Sequence, residues 1–194
     1  MTTGHSFAHD WFTHSTRQFE EHLAHLRGQP CNIIEIGAHE GRCTTWLLDN
    51  ILTNELSRII CIDVFTQPNF WQNVAASGGI QKTQMFKGLS GQILRSQPLG
   101  VADFVYIDGS HLAPDVLEDA VLSFPLLKRG GIMAFDDYLW NDPKYLHEDP
   151  PKLAVDAFLD MYKFRIELLE KGHQVWIRKI NDRPAPPNQP VGTS

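Results

Sequence analysis

At 194 residues, with 42% apolar and 21% charged side chains, the chain has the size and composition of one globular domain with a well-buried core. Its formal net charge of -6 leaves no basic footprint, which argues against a nucleic-acid partner. No apolar stretch reaches the ~18–20 residues of a membrane span, the start MTTGHSFAHDWF lacks a signal-peptide pattern, and Cys31, Cys43 and Cys61 form neither a disulfide framework nor a ligand-spaced cluster, so a cytoplasmic protein is expected.

The first element expected is an amphipathic helix in HDWFTHSTRQFEEHLAHL, where Trp11, Phe12, Phe19, Leu23 and Leu26 recur at roughly helical spacing and Gly28 and Pro30 end the pattern. Five short apolar runs follow: CNIIEIG, RIICIDVF, TQMFKG, DFVYIDG and GIMAFDDY. Each is rich in Ile, Val or Phe and closes on Gly or Asp, as buried parallel strands do. Helix-like stretches alternate with them: TTWLLDNIL, the region around FWQNVAAS, GQILRSQ, and DVLEDAVLSFPLL, whose exit is assigned to Gly130–Gly131. That alternation predicts βαβ units in an open α/β sheet. After the helix-like LAVDAFLDMY, the runs FRIELLEK and HQVWIRKI are joined by a short turn at Gly172, which reads as an antiparallel hairpin at the sheet edge. Residues 1–180 are expected to form one domain, and the Pro-rich stretch 181–194 to be a disordered tail.

The turn IIEIGAHEGRCTTWLL carries Glu35, Gly37 and Gly41 where a strand gives way to a helix. Glycines there allow close backbone approach to a ligand, and the helix start offers free N–H groups. The spacing is G-x-x-x-G, so the G-x-G-x-x-G of a dinucleotide site is absent and a nicotinamide-dependent oxidoreductase is disfavoured. A carboxylate at Glu35 repels a pyrophosphate and suits an ammonium group. The second strand ends at Asp63, where an acidic residue either accepts ribose hydroxyls or caps the next segment. Together these residues describe a ligand with a ribose and a cationic amine but no phosphate, a description that S-adenosylmethionine fits.

With these pieces in place, the sequence resembles the class I S-adenosylmethionine-dependent methyltransferases, and among them the macrocin-type and catechol-type O-methyltransferases. The resemblance runs from about His9 to Lys179 and rests on EIGAHEGRCTTWLL, CIDVF, KGLSGQIL, YIDGSH, DVLEDAVLSFPLLKRGGIMAFDDY and the terminal hairpin. It implies a Rossmann-like open sheet of seven strands, mostly parallel with the last strand antiparallel, and helices on both faces. It further implies that Gly37, Ala38, His39 and Gly41 line the methionine end, that Asp63 holds the ribose, and that Val64, Leu89 and Ser90 border the adenine. Catechol-type enzymes have Ser where this chain has Cys43. Trp11 and Phe12 either close over the cofactor or simply pack.

The runs YIDGSH and AFDDY place Asp108, Asp136 and Asp137 on one rim, since parallel strands lie ~4.8 Å apart and ligands bind at their carboxyl ends. Carboxylates so close repel one another unless protons or a cation intervene, and oxygen-only ligands favour Mg²⁺, Ca²⁺ or Mn²⁺. Metal-dependent O-methyltransferases similar to this sequence place Asp, Asp and Asn or Asp at these three positions, which the resemblance carries over to Asp108, Asp136 and Asp137. Adjacent strand residues face opposite ways, so Asp136 and Asp137 share a metal only if the strand has begun to turn; otherwise one supports the site from behind or caps a helix. His111 stands where the similar enzymes carry a Lys or His base. An imidazole titrating near neutrality can accept the proton a hydroxyl loses on methylation.

The loop DYLWNDPKYLHEDPPK, with Tyr138, Trp140 and Tyr145, suits a ring-shaped acceptor, either a sugar or an aromatic. The expected substrate is therefore a hydroxylated small molecule or carrier-bound intermediate. The alternatives kept open are a metal-independent enzyme relying on His111 alone and a non-catalytic cofactor-binding module. A homodimer is compatible with the sequence.

Overall fold

The computed structural model describes residues 4–140 and 149–182. Tyr145 and the Pro-rich stretch from residue 183 onward lie outside the described residues.

Seven strands form one sheet: β1 (Asn32–Ile36), β2 (Arg58–Asp63), β3 (Thr83–Lys87), β4 (Ala102–Ile107), β5 (Leu127–Phe135), β6 (Ile166–Lys171) and β7 (Val175–Lys179). Their spatial order is β3-β2-β1-β4-β5-β7-β6. The first five are mutually parallel, and β7 runs antiparallel to both β5 and β6. This is the Rossmann-like seven-stranded sheet the sequence implied, with the hairpin at the edge and its second strand folded inward.

Alternation of side chains sorts the core onto two faces. Ile34, Ile36, Val105, Ile107, Met133 and Phe135 pack beneath α4 (Ser90–Leu94), α5 (Ala113–Ser123) and α6 (Pro151–Tyr162). Ile33, Cys61, Phe104, Tyr106 and Trp176 pack beneath α1 (Thr16–Leu23), α2 (Arg42–Asn50) and α3 (Phe70–Ala76). The three cysteines are free and buried. Helix α1 is shorter than its apolar pattern, because 3-10 turns at Thr13–Ser15 and Ala24–Leu26 flank it. Phe19 anchors it, meeting Phe12, Tyr106 and Trp176 edge-on at centroid distances of 4.8, 5.0 and 5.0 Å.

One boundary departs from expectation. Gly130–Gly131 do not mark the exit of α5 but lie inside β5, where the pairing with β4 shifts register. Gly130 adopts φ +85°, and a Cβ on Gly131 would stand 3.0–3.2 Å from the carbonyl oxygens of Lys128, Ala102 and Asp103. The glycines let two backbones close up at an irregularity, a use of glycine that resembles a helix stop in sequence.

Candidate active site

The carboxyl ends of β2, β1, β4 and β5 are laced together by backbone hydrogen bonds. Gly37 N donates to Ile62 O, Asp108 N to Ile36 O and Asp136 N to Ile107 O, all at 2.8–2.9 Å. Gly37 has φ +90°, and a Cβ there would stand 1.9 Å from the Asp108 carbonyl oxygen. Its lack of a side chain is thus demanded by the protein's own neighbouring strand. Gly41 caps α2 at φ +81°, with the Phe70 ring 3.1 Å from where a Cβ would be.

Asp63 ties the two loops beside this junction. Its Oδ2 accepts the His39 backbone N–H at 2.8 Å, and its Oδ1 accepts that of Phe65 at 2.9 Å. Asp63 thus caps both loops, and each of its oxygens retains a lone pair beside the cavities. His39 adopts φ +45°, which turns its N–H toward Asp63.

Two cavities open here and share Gly37, Asp63 and Gly109 as a common wall. The first, about 640 Å³, is bordered by Asp63, Val64, Leu89, Ser90 and Asp119. Val64 and Leu89 present exposed apolar edges. Asp119 is buried, which lifts its carboxyl to about 6 despite a hydrogen bond from Ser90. The only cation lining this lobe among the described residues is Arg95, which is tied to Glu118 at 2.7 Å. Such walls repel a pyrophosphate and accommodate an uncharged nucleoside.

The second cavity, about 790 Å³, carries the acidic rim together with Trp11, His14, His39, Trp140 and His173. One ligand atom each from Asp108, His111 and Asp137 lies within 4.8 Å of the others. His111 Nε2 stands 2.8 Å from Asp137 Oδ2, and its ring stacks on Trp140 at 4.6 Å. Asp137 reaches this group because its φ is +56°, which turns it out of the strand direction. Asp136 is not in the group, and its Oδ1 accepts a hydrogen bond from Gln174 Nε2 at 2.9 Å. Asp136 nonetheless lines the same cavity as Asp108 and Asp137, so the three expected carboxylates share one rim, with His111 beside them.

Electrostatics follow the crowding. Burial, reinforced by Asp136, Asp137 and Glu35, pushes Asp108 well above the usual carboxylate range. Burial and Asp137 also raise Asp136. The hydrogen bond to Asp137 raises the His111 imidazole, against the opposing effect of burial. Carboxylates crowded on one cavity wall offer the oxygen donors that fit a hard divalent cation, with the His111 imidazole beside them.

Three expected residues do not line either cavity: Glu35, Ala38 and Gly41. Glu35 faces α2 and is 1% exposed; Thr44 Oγ1 donates to its Oε2 at 2.6 Å, while Oε1 has no hydrogen-bond partner. Burial lifts its carboxyl to about 7. Glu35 thus lies beneath the glycine turn, outside both cavity linings. The aromatic pair also splits: Phe12 is buried against Phe19, whereas Trp11 is 63% exposed and lines the second cavity beside His39. Sequence reasoning missed Asp119, His14, His173 and Gln174. Only Asp119 had a local signal, as a carboxylate on the buried face of α5, three residues after Val116 and one before Ala120.

Comparison with known proteins gives a consistent picture. The profile of a family described as a methyltransferase domain matches residues 34–138, more than half of the chain. Among solved structures, the MycE methyltransferase of the mycinamycin biosynthetic pathway, in complex with Mg and SAH, aligns with a TM-score of 0.64 at 15% identity, covering 89% of this chain and 51% of that one. The chain therefore spans about half the length of MycE. An O-methyltransferase from Bacillus cereus in complex with SAH gives 0.69 at 16% identity, covering 89% and 84%. A Clostridium thermocellum protein provisionally named an rRNA methylase gives 0.72 at 15% identity, covering 87% and 97%. At such identities the structural likeness establishes the fold and leaves the acceptor undecided. No curated protein matches the sequence.

Proposed function

The chain belongs to the methyltransferase-domain family, of the class I S-adenosylmethionine-dependent kind, and from that premise we propose that it methylates a hydroxyl group of a small polar metabolite, assisted by a hard divalent cation and by His111. The observation that carries this reading is the meeting of Asp108, His111 and Asp137 beside the wall shared by the two cavities.

In this reading the first lobe takes the nucleoside. Asp63 accepts the ribose hydroxyls on the lone pairs its backbone partners leave free, and Val64 and Leu89 flank the base with apolar edges. The second lobe takes the methionine end, beside the Gly37 and His39 backbone, and the acceptor. When bound, S-adenosylmethionine would supply an electrophilic methyl group on sulfur, and Asp108 and Asp137 would hold a divalent ion whose charge would acidify the acceptor hydroxyl. His111 would accept the proton that this hydroxyl gives up on methylation. Asp137 stabilises the resulting imidazolium, to which it already stands at ion-pair distance. Trp11 and Trp140 at the rim keep water from the reacting atoms and offer flat faces to a ring-bearing acceptor.

A second reading uses the same cofactor without metal, because the 2.8 Å His111–Asp137 pair is itself a competent base dyad. Turnover on a panel of sugar and aromatic hydroxyl compounds, before and after EDTA and again after Mg²⁺ is restored, separates the two. Loss and recovery support the cation; undiminished turnover in EDTA selects the metal-free dyad. An absence of any calorimetric signal with S-adenosylhomocysteine would remove both.

A further inference from the structure

Residues 4–12 form no helix or strand, yet they are strapped to the turn after β1 at several points. Glu40, in the middle of that turn, is 8% exposed and lines neither cavity. Its Oε2 accepts the Ala8 backbone N–H at 2.8 Å, and its Oε1 accepts Asn69 Nδ2 at 2.9 Å. Asn69 Nδ2 and Asn73 Nδ2 also donate to Ser6 O, while Asn73 Oδ1 accepts the Ser6 N–H. Two positions beyond Glu40, Arg42 pairs with Asp10 at 3.5 Å and donates to Thr13 Oγ1 at 2.6 Å.

This strap carries part of the second cavity. Asp10 and Trp11 line it, as does His14 just beyond. The Trp11 ring stacks on His9 at 4.8 Å and leans on His39 at 5.1 Å. At 63% exposure Trp11 has little packing of its own, so its place in the wall depends on the strap.

The direction of the Glu40 side chain follows from the backbone around it. His39 at φ +45° and Gly41 at φ +81° flank it. Left-handed backbone is costly for a residue with a Cβ, so the turn keeps its shape only while it is held. Asp63 holds the His39 N–H, and Ala38 O accepts the Gly41 N–H at 2.7 Å. A ligand lying against the Gly37 and His39 backbone adds to that hold.

We propose that Glu40 is a positioning residue: it ties the strap to the cofactor turn, so that filling the methionine end fixes Trp11 in the acceptor wall. The proposal rests on the assignment of the methionine end to the second lobe and needs no cation. Coupling of this kind is reciprocal, so the strap must tighten cofactor binding by the same factor that the cofactor steadies the strap.

The test is amide hydrogen exchange of the whole chain, read by mass spectrometry over residues 4–13, with S-adenosylhomocysteine affinity measured in parallel by calorimetry. In the wild type, saturating S-adenosylhomocysteine is expected to slow exchange of this segment by about 5-fold or more. Glu40→Gln sets an NH₂ group against one of two donors. It is expected to speed that exchange, to abolish the ligand-dependent slowing, and to weaken S-adenosylhomocysteine affinity by the factor the wild type gains. Ala8→Pro removes the strap's N–H, leaves the turn untouched and lies outside every helix and strand. It should reproduce both effects, and it carries the test alone if Glu40→Gln does not fold. Strap exchange that the ligand leaves unchanged in the wild type overturns the proposal. So does a Glu40→Gln strap that exchanges faster yet keeps the full ligand-dependent slowing, the mark of a contact that only packs. Wild-type behaviour in Ala8→Pro overturns it as well. A wild-type protein that does not bind S-adenosylhomocysteine overturns the cofactor reading itself, and this proposal with it.

Discussion

Glu35 shows how a single buried group can shape the pH response of the whole fold. Its carboxyl is lifted by burial from an ordinary 4.5 to about 7. The folded value lies above the unfolded one, so the fold favours the protonated form. Stability from this residue is full below about pH 4.5 and declines as pH rises through about 7. Glu35→Gln is accordingly expected to leave stability near wild type at pH 5 and to gain on the order of 3 kcal/mol at pH 8.5. Urea denaturation at the two pH values checks it, and an unchanged difference between them would refute it. His111 belongs to the same scale but to chemistry. His111→Ala should lower turnover by about 10²-fold or more, with S-adenosylhomocysteine affinity nearly intact, since the imidazole is needed for proton transfer and not for the nucleoside lobe. Wild-type turnover in that variant would mean another base operates. Asp63→Ala should do the reverse and weaken S-adenosylhomocysteine binding first, because it removes an acceptor from the lobe and the clamp on His39 together.

At the scale of elements, α1 is held by its aromatic contacts more than by its own helicity. It has eight residues and no side-chain cap at its start, and isolated helices of that length are unstable in water. Phe19 supplies the anchor, fully buried among Phe12, Phe104, Tyr106 and Trp176. Phe19→Ala should cost about 3–5 kcal/mol by denaturant unfolding, the usual range for deleting a buried aromatic ring. An unfolding free energy within about 1 kcal/mol of wild type would show that the ring is not the anchor. On the opposite face, Asp156 of α6 accepts hydrogen bonds from Lys171 of β6 and from the Tyr138 hydroxyl at 2.8 and 3.0 Å. This ties the last helix to the hairpin and to the strand end that bears Asp136 and Asp137.

For the molecule as a whole, the two cavities meet where strand order reverses, between β1 and β4, as open α/β sheets dictate for their ligand sites. Binding at that junction spans β2, β1, β4 and the first turn of α5, so ligand binding is coupled to global stability. S-adenosylhomocysteine at 100 times its dissociation constant should add about 2.7 kcal/mol to the unfolding free energy, whereas NAD⁺ at the same concentration should add none. Thermal-shift curves with the two compounds decide it. Among the described residues no helix is long and apolar enough to cross a membrane.

The sequence alone determined the strand and helix order, the glycine turn, and the convergence of Asp108, Asp136 and Asp137 on one rim with His111 nearby, because these are matters of local periodicity and of motifs only a few residues long. It also carried the two-sided core, since alternation within a strand is written in neighbouring residues. Tertiary structure decided the rest. Whether Gly37 serves a ligand or a neighbouring strand depends on what stands 1.9 Å from a missing Cβ, and that neighbour, Asp108, is 71 positions further along the chain. Whether Glu35 meets the cleft depends on which face of β1 lies under α2. Gln174 reaches Asp136 only because β7 inserts beside β5, a pairing whose partners are forty or more residues apart and therefore leave no periodic trace in either segment.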